Sequence, residues 1–215
     1  MTFSLLARDP ETGALGGAAA TGNLSVGAWV LRASAGVGIS ASQGHFPSTL
    51  WGEDVLTELA NRVAPEQAMQ TIVSADRGRA SRQLLVLNNG GSGAAFSGED
   101  NIPAMSELVQ PGLCAGGNML LKPGVIAATV EGYMTSNASF ARRLLAGLFS
   151  GAKAGGDARG LMSAALLIVA PDSPPIDLRV DFADAPLRSL EELIIRTEAE
   201  DYEAWRRALP TRASP

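Results

Sequence analysis

Thr2 is the residue of this chain whose type and place most directly suggest chemistry. It stands directly behind Met1, at the tip of the alternating stretch FSLLAR (residues 3–8). A small second residue permits removal of the initiator methionine. The Thr2 hydroxyl would then sit beside its own α-amine, whose ordinary pKa of about 7.7–8.0 makes it a usable base near neutrality. Nucleophile and base would share one residue. The alternative routes are narrow, because the chain has one histidine, His45, and one cysteine, Cys114. A serine or cysteine triad would need that single imidazole. Cys114, between Leu113 and Ala115, reads as a small core residue, and His45, beside Gly44, Phe46 and Pro47, as a loop residue. While Met1 is retained, the Thr2 nitrogen is a peptide nitrogen and no base. That state favours a second reading, a ligand-binding or assembly module, whose mark would be an obstructed cleft at Thr2.

The elements that would position Thr2 follow from periodicity. FSLLAR alternates as a strand, DPETG supplies turn residues, and LGGAAAT (residues 15–21) runs back to make a hairpin. Gly16, Gly17 and the three alanines after them carry little volume; they leave room for a cleft above the neighbouring strand tip or permit close packing. AWVLRA (28–33) and GVGISAS (36–42) predict a second strand pair. From Ser48 the period changes: Trp51, Val55, Leu59 and Val63 recur every four residues, a helical face, and Pro65 opens another helix with Met69, Ile72 and Val73. RQLLVLN (82–88), GAAFSG (93–98) and LVQPGLCAGG return to strand. Helical spacing resumes through Val125, Ile126, Val130 and Tyr133. It continues through Phe140, Leu144 and Leu148, with a start near Ser136 or Asn137. SAALLIVA (163–170) and IDLRVDF (176–182) are the last strands, and a helix opened by Pro186 runs towards Trp205. GAKAGGDARG (151–160) reads as an exposed loop. Alternating blocks of antiparallel strands and helix pairs predict two sheets packed face to face with helices outside, a four-layer αββα sandwich of the α+β class.

Composition bounds the partners. The 215 residues are 46% hydrophobic and 18% charged, enough apolar material for one large domain over residues 1–215, completed by the strand and helix of 176–208. The net charge of −5 and the scatter of Lys and Arg argue against nucleic acid. No apolar run approaches the roughly 20 residues of a membrane span, and the first residues lack the order of a signal peptide, so a cytoplasmic location is expected. One cysteine and one histidine give neither an internal disulfide nor a soft-ligand cluster, so no metal and no cofactor are expected. A homodimer is expected, with Trp51, Tyr202 and Trp205 as interface anchors.

The stretches TFSLLARDPETGALGGAAATG, AGVGISASQ, RQLLVL, GGNML, GGDARGLMSAALLIV and DLRVD resemble the landmarks of the bacterial domain-of-unknown-function 1028 family, which is grouped with the N-terminal nucleophile (Ntn) hydrolases. The resemblance covers nearly the whole chain. It implies an αββα sandwich presenting an N-terminal Thr, Ser or Cys that cleaves an amide through an acyl-enzyme, and only Thr2 matches that place. It further makes Gln43 in SASQ and Asn118 in GGNM candidates to orient a substrate or donate to an oxyanion; either amide could equally cap a buried strand end. Arg32 becomes a candidate electrostatic partner of the Thr2 cleft, in the role of the basic residue of proteasome-like relatives. Arg82, Gln83 and Arg159 either hold loops by hydrogen bonds or bind substrate carboxylates. GHFPSTLWG after Gln43 departs from the family's small-aromatic-Asn-Pro segment. The implied activity is that of an amidohydrolase acting on a small-molecule or peptide amide.

Overall fold

The structure, a computed structural model, describes residues 2–101, 104–157, 159–211 and 214. Its first hairpin joins β1 (Thr2–Arg8) to β2 (Leu15–Thr21), in unbroken register from Thr2↔Thr21 to Arg8↔Leu15. The turn closes because the Asp9 carboxylate accepts hydrogen bonds from the Thr12 amide and hydroxyl, and Gly13 takes a positive φ of 73°. Four later strands join this hairpin: β7 (Ser106–Gln110), β8 (Leu113–Asn118), β9 (Ser163–Ala170) and β10 (Ser173–Val180). The six lie in the order β10-β9-β2-β1-β8-β7. A second sheet orders β3 (Leu31–Ser34), β4 (Gly38–Gly44), β5 (Arg82–Asn88) and β6 (Gly93–Ser97) as β3-β4-β5-β6. All these pairings are antiparallel.

Seven α-helices complete the fold among the described residues. They are α1 (Val26–Trp29), α2 (Thr49–Ala60), α3 (Pro65–Ala75), α4 (Val125–Thr135), α5 (Phe140–Ala154), α6 (Pro186–Thr197) and α7 (Glu200–Arg207). The chain is therefore of mixed α+β class, with two antiparallel sheets. Period-2 alternation gives each sheet two apolar faces. Phe3, Leu5 and Ala7 of β1 pack with Ile126, Leu144 and Leu190 of α4, α5 and α6. Leu6 points the other way and meets Ile39, Leu85 and Cys114 between the sheets. Leu84 and Val86 of β5 face Trp51, Val55 and Met69 of α2 and α3. Helices thus cover the outer face of each sheet, and the inner faces share a core.

Four stretches depart from the sequence reading. Residues 28 and 29 belong to a single helical turn, not a strand: Ser25 adopts a left-handed φ of 57°, its amide is held by the Asp181 carbonyl, and Val30 N–H closes on Val26 O. The helix expected from Ser136 or Asn137 begins at Phe140, because the Ser139 hydroxyl is bonded to Glu198 at the end of α6. The C-terminal helix is two helices, broken where Ala199 turns extended. Residues 151–154, read as loop, are the last turn of α5. Among the described residues no helix is long and apolar enough to cross a membrane.

Candidate active site

At one end of the space between the sheets the side chains change from apolar to polar. Thr2 and Ser4 share the face of Leu6 on β1, Gln43 that of Ile39 and Ala41 on β4, Gln83 that of Leu85 on β5, and Asn118 that of Cys114 on β8. The same alternation that builds the apolar core therefore delivers five polar side chains to its end. Thr2 lies directly across from Asn118 on one side and Thr21 on the other, and its hydroxyl donates to Thr21 Oγ1 at 3.2 Å.

Gln83 is the hub that ties the two sheets. Its Nε2 donates to Ser97 Oγ at 2.8 Å and to the Gly117 carbonyl at 3.2 Å. Its Oε1 accepts from Gln43 Nε2 at 2.7 Å and Asn118 Nδ2 at 3.2 Å. Gln43 Nε2 also donates to the Gly116 carbonyl at 3.2 Å, and Gln43 Oε1 accepts from Ser4 Oγ at 2.5 Å. The backbone carbonyls of Gly116 and Gly117 can only accept, so they dictate which way both glutamine amides face. Gln83 must then turn its oxygen to Asn118, and Asn118 must answer with its nitrogen. Asn118, fully buried, is left with an Oδ1 that has no hydrogen-bond partner among the described residues. Such an orphaned acceptor is costly unless something else fills it.

This geometry sorts the candidates. Gln43 and Asn118 are brought together through Gln83, and Asn118 is brought to Thr2. Both N–H groups of Gln43 are committed, so it holds the site rather than donating to an oxyanion. Asn118 retains one N–H and the orphaned acceptor. Arg32 is not part of the group. It lies on the opposite face of β3, where its Nε pairs with Glu53 Oε1 of α2 at 3.3 Å and its Nη1 donates to the Leu31 carbonyl, because its neighbours Leu31 and Ala33 take the inner face. Arg82 pairs with Asp76 at 2.6 Å and donates to the Phe46 carbonyl; Arg159 pairs with Asp157 at 3.0 Å. Both hold loops. The buried Asp157 carboxylate also accepts the Gly22 amide, fixing the segment that follows Thr21.

The small residues of β2 do not open a cleft. A β-carbon on Gly16 would lie 2.6 Å from the Phe140 ring, and one on Gly17 would lie 2.9 Å from Ile39, so these positions serve close packing. Thr2 is 7% exposed. Among the described residues, surface clefts of about 460 to 620 Å³ open elsewhere, as between α3 and β6 or beside the β1–β2 turn, and neither Thr2, Gln43, Asn118 nor Arg32 lines these. Cys114 is buried in the inter-sheet core, where desolvation pushes its thiol up to about 12, while His45 stacks edge-on against Phe46 in the loop after β4. Trp51, expected as an interface anchor, is a core residue, whereas Tyr202 and Trp205 are exposed. Among the described residues no group of three or more His, Cys, Asp and Glu side chains is gathered as a metal site. Met1 lies outside the described residues.

Sequence reading missed the hub role of Gln83 and the partners Ser4 and Thr21. Their signal was present as polar residues at inner-face positions of otherwise apolar strands, but only the cross-sheet pairing shows what they meet.

Residues 2–190 match a family described as "Family of unknown function (DUF1028)". The chain belongs to the DUF1028 family. The crystal structure of protein SPO2555 from Silicibacter pomeroyi, also of DUF1028, is similar to it at a TM-score of 0.95 and 45% sequence identity, over 99% of this chain and 93% of that one. No curated protein matches the chain. The likeness in fold extends over both sheets.

Proposed function

We propose that this protein is an amidohydrolase of the N-terminal nucleophile type, with an Ntn-like αββα sandwich and Thr2 as the nucleophile. The observation that carries the reading is the place of Thr2: first residue of a central strand, on the inner face, opposite the buried, half-unpartnered amide of Asn118. Once Met1 is removed, the Thr2 α-amine takes the proton of the Thr2 hydroxyl as Oγ1 attacks the substrate carbonyl carbon. The amide C–N bond breaks, the leaving nitrogen takes that proton, and an ester on Thr2 remains. Water hydrolyses the ester and restores the hydroxyl. The remaining N–H of Asn118 is suited to the developing oxyanion and its Oδ1 to a donor on substrate or amine. This chemistry requires no cofactor. The substrate is a small-molecule or peptide amide, the location cytoplasmic, and the homodimer uses Tyr202 and Trp205.

A second reading, an inactive binding or assembly module, is favoured by one observation: Thr2 is nearly buried, and the clefts described above open elsewhere. Intact-mass analysis of protein from its native host, with an amide-library screen of wild type and Thr2→Ala, separates the two. The hydrolase reading expects a mature chain starting at Thr2 and hydrolysis lost in Thr2→Ala. A native mass retaining Met1, or undiminished hydrolysis in the variant, overturns it.

A further inference from the structure

Five side-chain hydrogen bonds at the polar end of the inter-sheet space run one way. Ser4 Oγ donates to Gln43 Oε1, Gln43 Nε2 to Gln83 Oε1, Gln83 Nε2 to Ser97 Oγ, and Ser97 Oγ to a carboxylate oxygen of Glu107. Asn118 Nδ2 joins the chain at Gln83 Oε1. Ser4, Gln43, Gln83 and Asn118 are buried, and Ser97 is half-buried. The last member, Glu107, is exposed and carries the charge. The final bond also crosses between the sheets: Ser97 lies on β6 and Glu107 on β7, the edge strands of the four-stranded and six-stranded sheets.

We infer that Glu107 is a positioning residue of the Thr2 site: its carboxylate anchors this chain and thereby fixes which way the Gln83 and Asn118 amides face. A serine hydroxyl has one proton to donate and an ionised carboxylate has none. Ser97 must therefore spend its proton on Glu107 and accept from Gln83. That turns the Gln83 oxygen to Gln43 and Asn118, and leaves Asn118 an Oδ1 with no partner among the described residues. The carbonyls of Gly116 and Gly117 enforce the same direction from β8, but they lack the charge. A hydrogen bond to a carboxylate is roughly twice as strong as a neutral one, and bonds in line polarise one another, so the hold of Glu107 reaches the buried amides. A neutral amide at position 107 could donate as well as accept, and the direction of the Ser97 hydroxyl would no longer be set. The anchoring stands on this geometry; its bearing on catalysis rests on the reading of Thr2 as nucleophile, with Asn118 opposite it.

Two readouts separate anchoring from catalysis. The first is the side-chain amide resonances of Gln83 and Asn118, assigned by triple-resonance NMR in isotope-labelled protein without ligand. Glu107→Gln and Ser97→Ala are expected to shift both amide pairs. Ser97→Thr, which keeps the hydroxyl, and Glu99→Gln, at an exposed acid outside the chain, are expected to leave them in place. The second readout is hydrolysis of the amide that the library screen of wild type selects. There Glu107→Gln is expected to lower kcat about tenfold with KM within about twofold, and Ser97→Thr to keep the wild-type rate. Amide pairs unmoved by Glu107→Gln and Ser97→Ala, or moved as far by Glu99→Gln, overturn the anchoring. Amide pairs moved with kcat unchanged overturn the positioning role. Amide pairs that move as expected in a protein whose wild type hydrolyses no amide overturn the nucleophile reading of Thr2 alone and leave the anchor standing.

Discussion

Thr2 and Asn118 face each other across β1 and β8, and Asn118 is held there by Gln83 from the other sheet, 3.2 Å away. The amide of Asn118 therefore hangs on one cross-sheet bond, while Gln83 carries four hydrogen bonds, two of them across the sheets. Asn118→Ala is expected to cost about 1 kcal/mol, the worth of one such bond. Gln83→Leu is expected to cost about 3 kcal/mol, because Gln43, Asn118, Ser97 and the Gly117 carbonyl each lose one hydrogen bond, most of them in a buried place. Urea unfolding of both variants and of the double variant measures this; near-additivity would mean that the two amides are not coupled.

The close approach of α5 to β2 sets a second expectation. Gly16→Ala places a methyl group within 2.7 Å of both the Phe140 ring and Leu144 Cδ1. Overpacking of this kind costs about 1–3 kcal/mol, and a drop in thermal midpoint of several degrees is the expected readout.

Burial of Cys114 among Leu6, Leu87 and Ala165 pushes its thiol up to about 12. Thiolate is the reactive form, so the native protein is expected to resist a disulfide reagent at pH 8 and to react fully once unfolded by guanidinium. Rapid labelling of the folded protein would contradict the packing described.

Glu198 joins the start of α5 to the end of α6. Its carboxylate accepts from Arg142 Nε and Ser139 Oγ, both at 2.7 Å, and the hydrogen bond from Arg142 chiefly holds its pKa below the ordinary glutamate value. A carboxyl depressed in the folded state stabilises fully above its unfolded pKa and loses that contribution as the pH falls through the lower folded value. Glu198→Gln is therefore expected to lower stability at neutral pH and to narrow its difference from wild type progressively in acid. A constant difference from pH 7 to pH 2 would refute the linkage.

Most strands and helices were legible because their causes are local. Alternation in FSLLAR, the short apolar run of RQLLVL, the turn chemistry of DPETG, and the four-residue spacing from Trp51 to Leu59 each act within one element. The chain's single histidine and single cysteine, together with Thr2 behind Met1, likewise narrowed the chemistry before any fold was known. What tertiary structure decided depends on facing surfaces. A glycine beside alanines leaves the same local signature whether it opens a cleft or admits a helix, and only Phe140 and Leu144 across from Gly16 show that it admits one. Arg32 and Gln43 both sit on strands of one sheet, but their places in the alternation turn Arg32 out to Glu53 and Gln43 in to Gln83. The direction of the Asn118 amide is fixed by backbone carbonyls of its own strand acting through a glutamine of the other sheet, a relation between segments 35 residues apart that no local pattern encodes.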